Sequence, residues 1–104
     1  MNPLRTKILA GMAARLRQTL ELPTGISFRD RCRNAPLKAM ASRDCLPYRA
    51  ADWMPSAPTP AQAKAIRREV DAMERDGLLV VTLTESNRAV EIEITAAGKA
   101  AMNL

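Results

Sequence analysis

Among its 104 residues this chain offers no histidine, two cysteines, eleven carboxylates and sixteen lysines and arginines. Without imidazole there is no Ser-His or Cys-His nucleophile pair, no everyday general base and no histidine ligand for a catalytic zinc. Cys32 and Cys45 stand thirteen positions apart with no Cys-x-x-Cys pair, so a four-ligand metal set stays incomplete. We therefore expect no enzyme, no metal and no cofactor. What remains is cation chemistry. Lys64, Arg67 and Arg68 fall within five consecutive residues, and Arg88 follows twenty positions after Arg68. Lysine meets phosphate as a point charge, and arginine's planar fork fits phosphate or the O6 and N7 edge of guanine. A formal charge of +5 and a pI near 9.9 point the same way, to an anionic partner such as nucleic acid or a membrane surface.

The elements that must hold these cations are well marked in the second half of the chain. Ser56-Ala57-Pro58-Thr59-Pro60 reads as a turn, an N-cap and a first-turn proline, and predicts a helix running to Asp76, where Gly77 stops it. Ala63, Ile66, Val70 and Met73 line one face at spacings of three and four, leaving Ala61, Lys64, Arg68 and Arg75 outside. After Gly77 the period drops to two. Leu78–Thr84 and the alternation of Val90, Ile92 and Ile94 with Glu91 and Glu93 predict a hairpin with one buried face, turning at Glu85-Ser86-Asn87-Arg88. Thr95 then caps a short closing helix or turn to Met102.

The first half is less regular. Asn2-Pro3 starts an amphipathic helix whose stripe is Ile8, Met12, Leu16 and Leu20, flanked by Leu9 and Ala13; it ends by Leu22, before Pro23 and Gly25. Its basic, acid-free beginning resembles a transit peptide, but the apolar run Ile8–Ala14 is too short for a signal or a span of about 20 residues, so we read a folded helix and no membrane segment. Between 26 and 56 the prolines favour short helices over Pro36–Ser42 and Tyr48–Met54, with Trp53 as a core anchor. With no secretory signal, the two thiols are expected to be reduced and partly buried in a cytoplasmic protein. Apolar content of 47% with 26% charged residues, at this length, predicts one folded domain over 1–104, with 1–22 as an added N-terminal helix.

A turn, a helix with a basic outer face, Asp76-Gly77-Leu78 and a two-stranded hairpin is the element order of a winged helix-turn-helix. Over Thr59–Lys99 the chain resembles winged-helix transcriptional regulators of the MarR-type group. Ala65 to Leu79 is similar to their recognition helix and its Gly-Leu ending, with Met73-Glu74 where leucine-glutamate is usual. Arg88, then Ile94-Thr95-Ala96-Ala97-Gly98, keeps the wing spacing, although Ser86 stands where the group has aspartate. The resemblance implies an α+β fold, mostly helical with a two- or three-stranded antiparallel wing, and sequence-specific binding of double-stranded DNA as a small transcriptional regulator. It implies contacts from Thr59, Ala61, Lys64, Arg67 and Arg68 in the major groove, and from Arg88 on the backbone or in the minor groove. An effector pocket does not carry over, because the chain ends six residues after Gly98.

Two half-sites multiply the few base contacts of one small domain, so a homodimer is expected, with the N-terminal helix as its interface unless that stripe belongs to the monomer core. The alternative is a winged-helix module that binds protein and no DNA, favoured by the acids in the helix and hairpin. Residues 1–56 hold ten basic and four acidic side chains, residues 57–104 six and seven. The positive excess thus lies outside the helix and hairpin. If DNA is the partner, the basic stretch before Ser56 must flank the recognition helix.

Overall fold

The computed structural model describes residues 2–25 and 27–103. Helix α1 (Pro3–Leu20) begins as its sequence dictates: the Asn2 side chain accepts from the Leu4 N–H at 2.8 Å, and Pro3 takes a first-turn position that needs no N–H donor. Ile8, Leu9, Met12, Ala13 and Leu16 are all buried. The stripe ends differently from its expected course. Thr19 is buried, with its hydroxyl donating to the Arg15 carbonyl at 2.7 Å, while Leu20 is 42% exposed and the helix stops there, two residues short of Leu22.

Helix α2 (Phe28–Ser42) begins eight residues before the expected Pro36 start, with Ser27 as N-cap accepting from the Asp30 N–H at 3.1 Å. Pro36 lies inside it, unable to donate to the Cys32 carbonyl. The helix expected over Tyr48–Met54 is a single 3-10 turn, Ala50–Asp52, and between the two lies a strand that the residue pattern does not announce, β1 (Cys45–Pro47). Helix α3 (Pro60–Arg75), strands β2 (Leu79–Leu83) and β3 (Ala89–Ile94), and helix α4 (Ala96–Ala101) follow close to prediction.

The three strands form one antiparallel sheet in the order β1-β3-β2, with Leu46 opposite Ile92 and Leu79 opposite Ile94. Four α-helices and this sheet make an α+β fold among the described residues. The register slips between Thr82 and Leu83, a bulge on β3 that puts Ala89 opposite Leu83. Ala89 is therefore buried and Val90, expected on the buried face with Ile92 and Ile94, is 43% exposed. The core joins α1, α3, the inner sheet face and Trp53, whose ring meets Tyr48 edge to face at 5.1 Å. Gly11 sits against the Trp53 backbone so closely that a Cβ there would lie 1.8 Å from the Trp53 carbonyl oxygen. Cys45 is buried as a free thiol; Cys32, expected to be partly buried, is exposed because α2 turns it to solvent. No described helix is long and apolar enough to cross a membrane.

The junction after α3 explains two separate sequence features at once. Gly77 adopts φ +79°, a left-handed conformation that ends the helix and frees Leu78 to turn into β2. The Thr95 hydroxyl lies 2.6 Å from the Gly77 carbonyl and 3.0 Å from that of Leu78, and accepts from the Gly98 N–H. Gly98 packs on the same Leu78 carbonyl, where a Cβ would come within 2.1 Å. Asp76-Gly77-Leu78 and Thr95-x-x-Gly98 are thus the two sides of one contact, which fixes the direction of the hairpin relative to α3.

Candidate nucleic-acid interface

Helix α3 presents the predicted cations, and its start is built for rigidity. Thr59 and Gln62 form a capping box: the Thr59 hydroxyl accepts from the Gln62 N–H at 3.2 Å, and the Gln62 side chain accepts from the Thr59 N–H at 2.9 Å. Thr59 is exposed, and its hydroxyl donates no hydrogen bond among the described residues, which leaves it able to donate outward. Ile66, Val70 and Met73 hold the opposite face in the core. At 3.6 residues per turn, Ala61, Lys64, Arg68 and Arg75 fall within about 60° of arc on the side away from that core, and all four are exposed.

Charge pairing sorts the residues of α3 by side. Arg5 of α1 bonds both Glu69 and Asp76, and Asn2 adds a bond to Glu69 at 3.1 Å. These bonds, Glu69 first and then Asp76, hold the Arg5 guanidinium above its ordinary pKa against a smaller opposing effect of burial. Asp71 pairs with Arg67 at 3.0 Å. Glu74 accepts from the Val81 N–H at 2.6 Å, on the free edge of β2. Every carboxylate from Pro60 to Asp76 therefore has a partner, whereas Lys64, Arg68 and Arg75 make no ion pair among the described residues. Asp71 and Arg75, also four positions apart, form no ion pair among the described residues.

Arg67 differs from its neighbours. It is half-buried on the flank of α3, bound to Asp71, with its guanidinium carbon 5.8 Å from the Tyr48 ring centroid. Burial first, and Asp71 to a lesser degree, push the Tyr48 phenol above its ordinary pKa, with Arg67 acting in the opposite sense. So Ala61, Lys64 and Arg68 come together on one stripe, joined by Arg75, while Arg67 belongs to the side that faces Tyr48.

Arg88 lies at the end of the hairpin turn and is exposed. The turn is held by Thr84: its N–H donates to the Arg88 carbonyl at 2.8 Å, its carbonyl accepts from Asn87, and its hydroxyl accepts from the Arg88 N–H at 3.1 Å. Asn87 takes φ +63°, which asparagine tolerates. Ser86, in the place of the expected aspartate, lies 3.0 Å from the Thr84 hydroxyl and braces the turn without a charge.

The basic stretch before Ser56 divides. Arg29, Arg31 and Arg33 are exposed on α2, whose main packing partners are α1 and β1 rather than α3, the helix they were required to flank. Arg49 is exposed and follows Tyr48, whose ring lies under Arg67 of α3. Sequence reasoning missed Arg5, Glu74 and Tyr48, whose partners lie on other elements; only the glutamate of Met73-Glu74, retained from the usual leucine-glutamate, was a visible signal. Comparison with family models, with curated proteins and with solved structures gives no match.

Proposed function

We propose that this protein is a winged-helix, sequence-specific binder of double-stranded DNA, a small transcriptional regulator of the kind its recognition helix and hairpin resemble. One observation carries the reading: the carboxylates of α3 are all engaged by protein groups, while Lys64, Arg68 and Arg75 are left unpaired among the described residues on a single outward stripe. The stretch from Pro60 to Asp76, with four basic and four acidic side chains, thereby offers a cationic face. Lys64 and Arg75 meet phosphates, Arg68 reaches a base edge, and Ala61 allows close approach in the major groove. Thr59 donates to a phosphate at the helix start, where the dipole also favours an anion. Arg67, braced by Asp71 and Tyr48, contacts the backbone at the flank, and Arg88 takes the adjoining backbone or minor groove.

The strand order β1-β3-β2, with β1 entering before α3, supports the same reading. The homodimer belongs to this proposal in stoichiometry, but the apolar stripe of α1 does not supply its interface, because that stripe lies in the core of a single chain.

The test is the affinity for random duplex DNA measured as salt is raised. A phosphate-contacting face gives a steep log–log loss, and Lys64→Ala and Arg75→Ala each reduce the slope by about one. Absence of binding at low salt, or slopes identical to that of the unaltered protein, overturns the reading.

A further inference from the structure

The outer side of α2 carries a second apolar stripe. Phe28, Cys32, Ala35 and Ala39 follow at spacings of four, three and four, so they share one helix face, and all four are exposed. Phe28, at 77%, is the most exposed large apolar side chain among the described residues. Arg29 and Arg33 border the stripe on one side, Arg31 and Lys38 on the other, and none of the four has an ion-pair partner among the described residues. The inner side, with Ala41 buried, is the one that packs on α1 and β1.

Apart from Leu20, the other large exposed apolar side chains are Val80, Leu83 and Val90, all on the hairpin. Val80 pairs across the strands with Glu93 and Thr82 with Glu91, which places the valine and both glutamates on the outer sheet face. Neither glutamate makes an ion pair among the described residues. The molecule thus has an apolar helix face bordered by cations and an outer sheet face on which exposed Val80 stands beside two glutamates. Within one chain they stay apart: α2 spans about 22 Å at 1.5 Å per residue, only its C-terminal end leads into β1, and Phe28 is at the far end.

We propose that the protein self-associates through these two unlike surfaces, the outer face of α2 in one copy seating on the outer face of β2–β3 in a second copy. Phe28 seats on Val80, and the arginines of α2 face Glu91 and Glu93. Two α2 faces cannot serve each other, since each carries four cations. Two acidic hairpin faces repel in the same way, so charge alone selects the unlike pairing. This contact does not rest on the DNA reading, and it leaves the stripe of α3 free.

Sedimentation velocity of the intact protein over a wide concentration range tests it. The unaltered chain associates, more weakly as salt rises. Phe28→Ser lowers the association constant about tenfold or more, the scale of a lost aromatic anchor. Arg29→Glu with Arg33→Glu cancels the positive charge bordering the α2 stripe, and Glu91→Arg with Glu93→Arg makes both surfaces basic. Each double variant is monomeric alone, and an equimolar mixture of the two associates again. Far-UV circular dichroism confirms that each variant is folded, and Glu93→Arg alone, at an exposed position, serves if the half-buried Glu91 site does not tolerate arginine. A chain that stays monomeric at about 1 mM, the weak limit of specific association, overturns the proposal. So does a mixture that fails to recover, or an Arg29/Arg33 variant that loses affinity for duplex DNA while its sedimentation is unchanged.

Discussion

Gly98→Ala is the substitution whose cost follows most directly from the geometry. A Cβ at this position lies 2.1 Å from the Leu78 carbonyl oxygen and 3.1 Å from both the Leu78 carbonyl carbon and Ile94 Cγ2. A backbone carbonyl cannot rotate aside as a side chain does, so the clash is relieved only by lifting α4 off the junction. That movement strains the Thr95 hydroxyl contact with Gly77 and Leu78 and the Thr95 N–H bond to Leu78, together about 1–3 kcal/mol. It also opens the seat of buried Met102, worth about 1.5–3 kcal/mol when fully exposed. Alanine's better helix propensity returns about 1 kcal/mol. The expected net loss is about 2–4 kcal/mol, a large share of the roughly 5–15 kcal/mol typical of a domain. Urea denaturation measures it, with two glycines as internal standards. Gly77→Ala meets no neighbouring atom but must adopt φ +79°, a cost of about 1–2 kcal/mol. Gly25→Ala meets open space and has no such φ, so it is neutral within about 0.5 kcal/mol. A Gly98→Ala protein within about 0.5 kcal/mol of the unaltered chain, or more stable than Gly77→Ala, would refute the contact between the two motifs.

Gly11→Ala forces α1 away from the Trp53 carbonyl and, by unseating a buried tryptophan, costs about 3–5 kcal/mol in the same denaturation experiment. Burial, reinforced by Glu91 and Glu93, raises the Cys45 thiol, so above about pH 8.5 an unfolded chain ionises this group before the folded one does. Stability should therefore fall as pH rises through that range, Cys45→Ala should flatten the slope, and a thiol reagent should label exposed Cys32 long before Cys45. Arg5→Ala releases Glu69 and Asp76 beside α3; affinity for duplex DNA should drop about two- to fivefold at low salt and less as salt rises, in a filter-binding or anisotropy assay, a smaller change of slope than the loss of a phosphate contact gives.

Helix α3, the hairpin and the Thr95 cap were legible because each carries a local signal: a capping residue, a proline at the first turn, a glycine stop, or a change of period from 3.6 to 2. Helix α2 was not. It buries one residue, Ala41, so its inner face leaves almost no apolar period, and Pro36 in its interior imitates a start. Ser27 with Asp30 at the third helical position is the signal that marks its beginning. Strand β1 is three residues, with Cys45 and Leu46 buried, and exists because β3 offers it a free edge. The bulge at Val90 follows from pairing register, which alternation alone does not encode. At the site, Lys64, Arg68 and Arg88 could be read from type and spacing. The role of Arg5 could not, because its partners stand 64 and 71 positions away and only the packing of α1 on α3 brings them into reach.

Glu74 governs how this sheet meets its surroundings. Strand β2 is an outermost strand with two solvent-facing apolar side chains, Val80 and Leu83, the kind of margin on which a misfolded neighbour can template itself. A carboxylate from the preceding helix holds the central amide of that margin, so an incoming chain finds the donor taken and a negative charge in its path. One glutamate side chain thus acts as a gatekeeper against open-ended sheet growth, and any variant made for work at high concentration would do well to keep it.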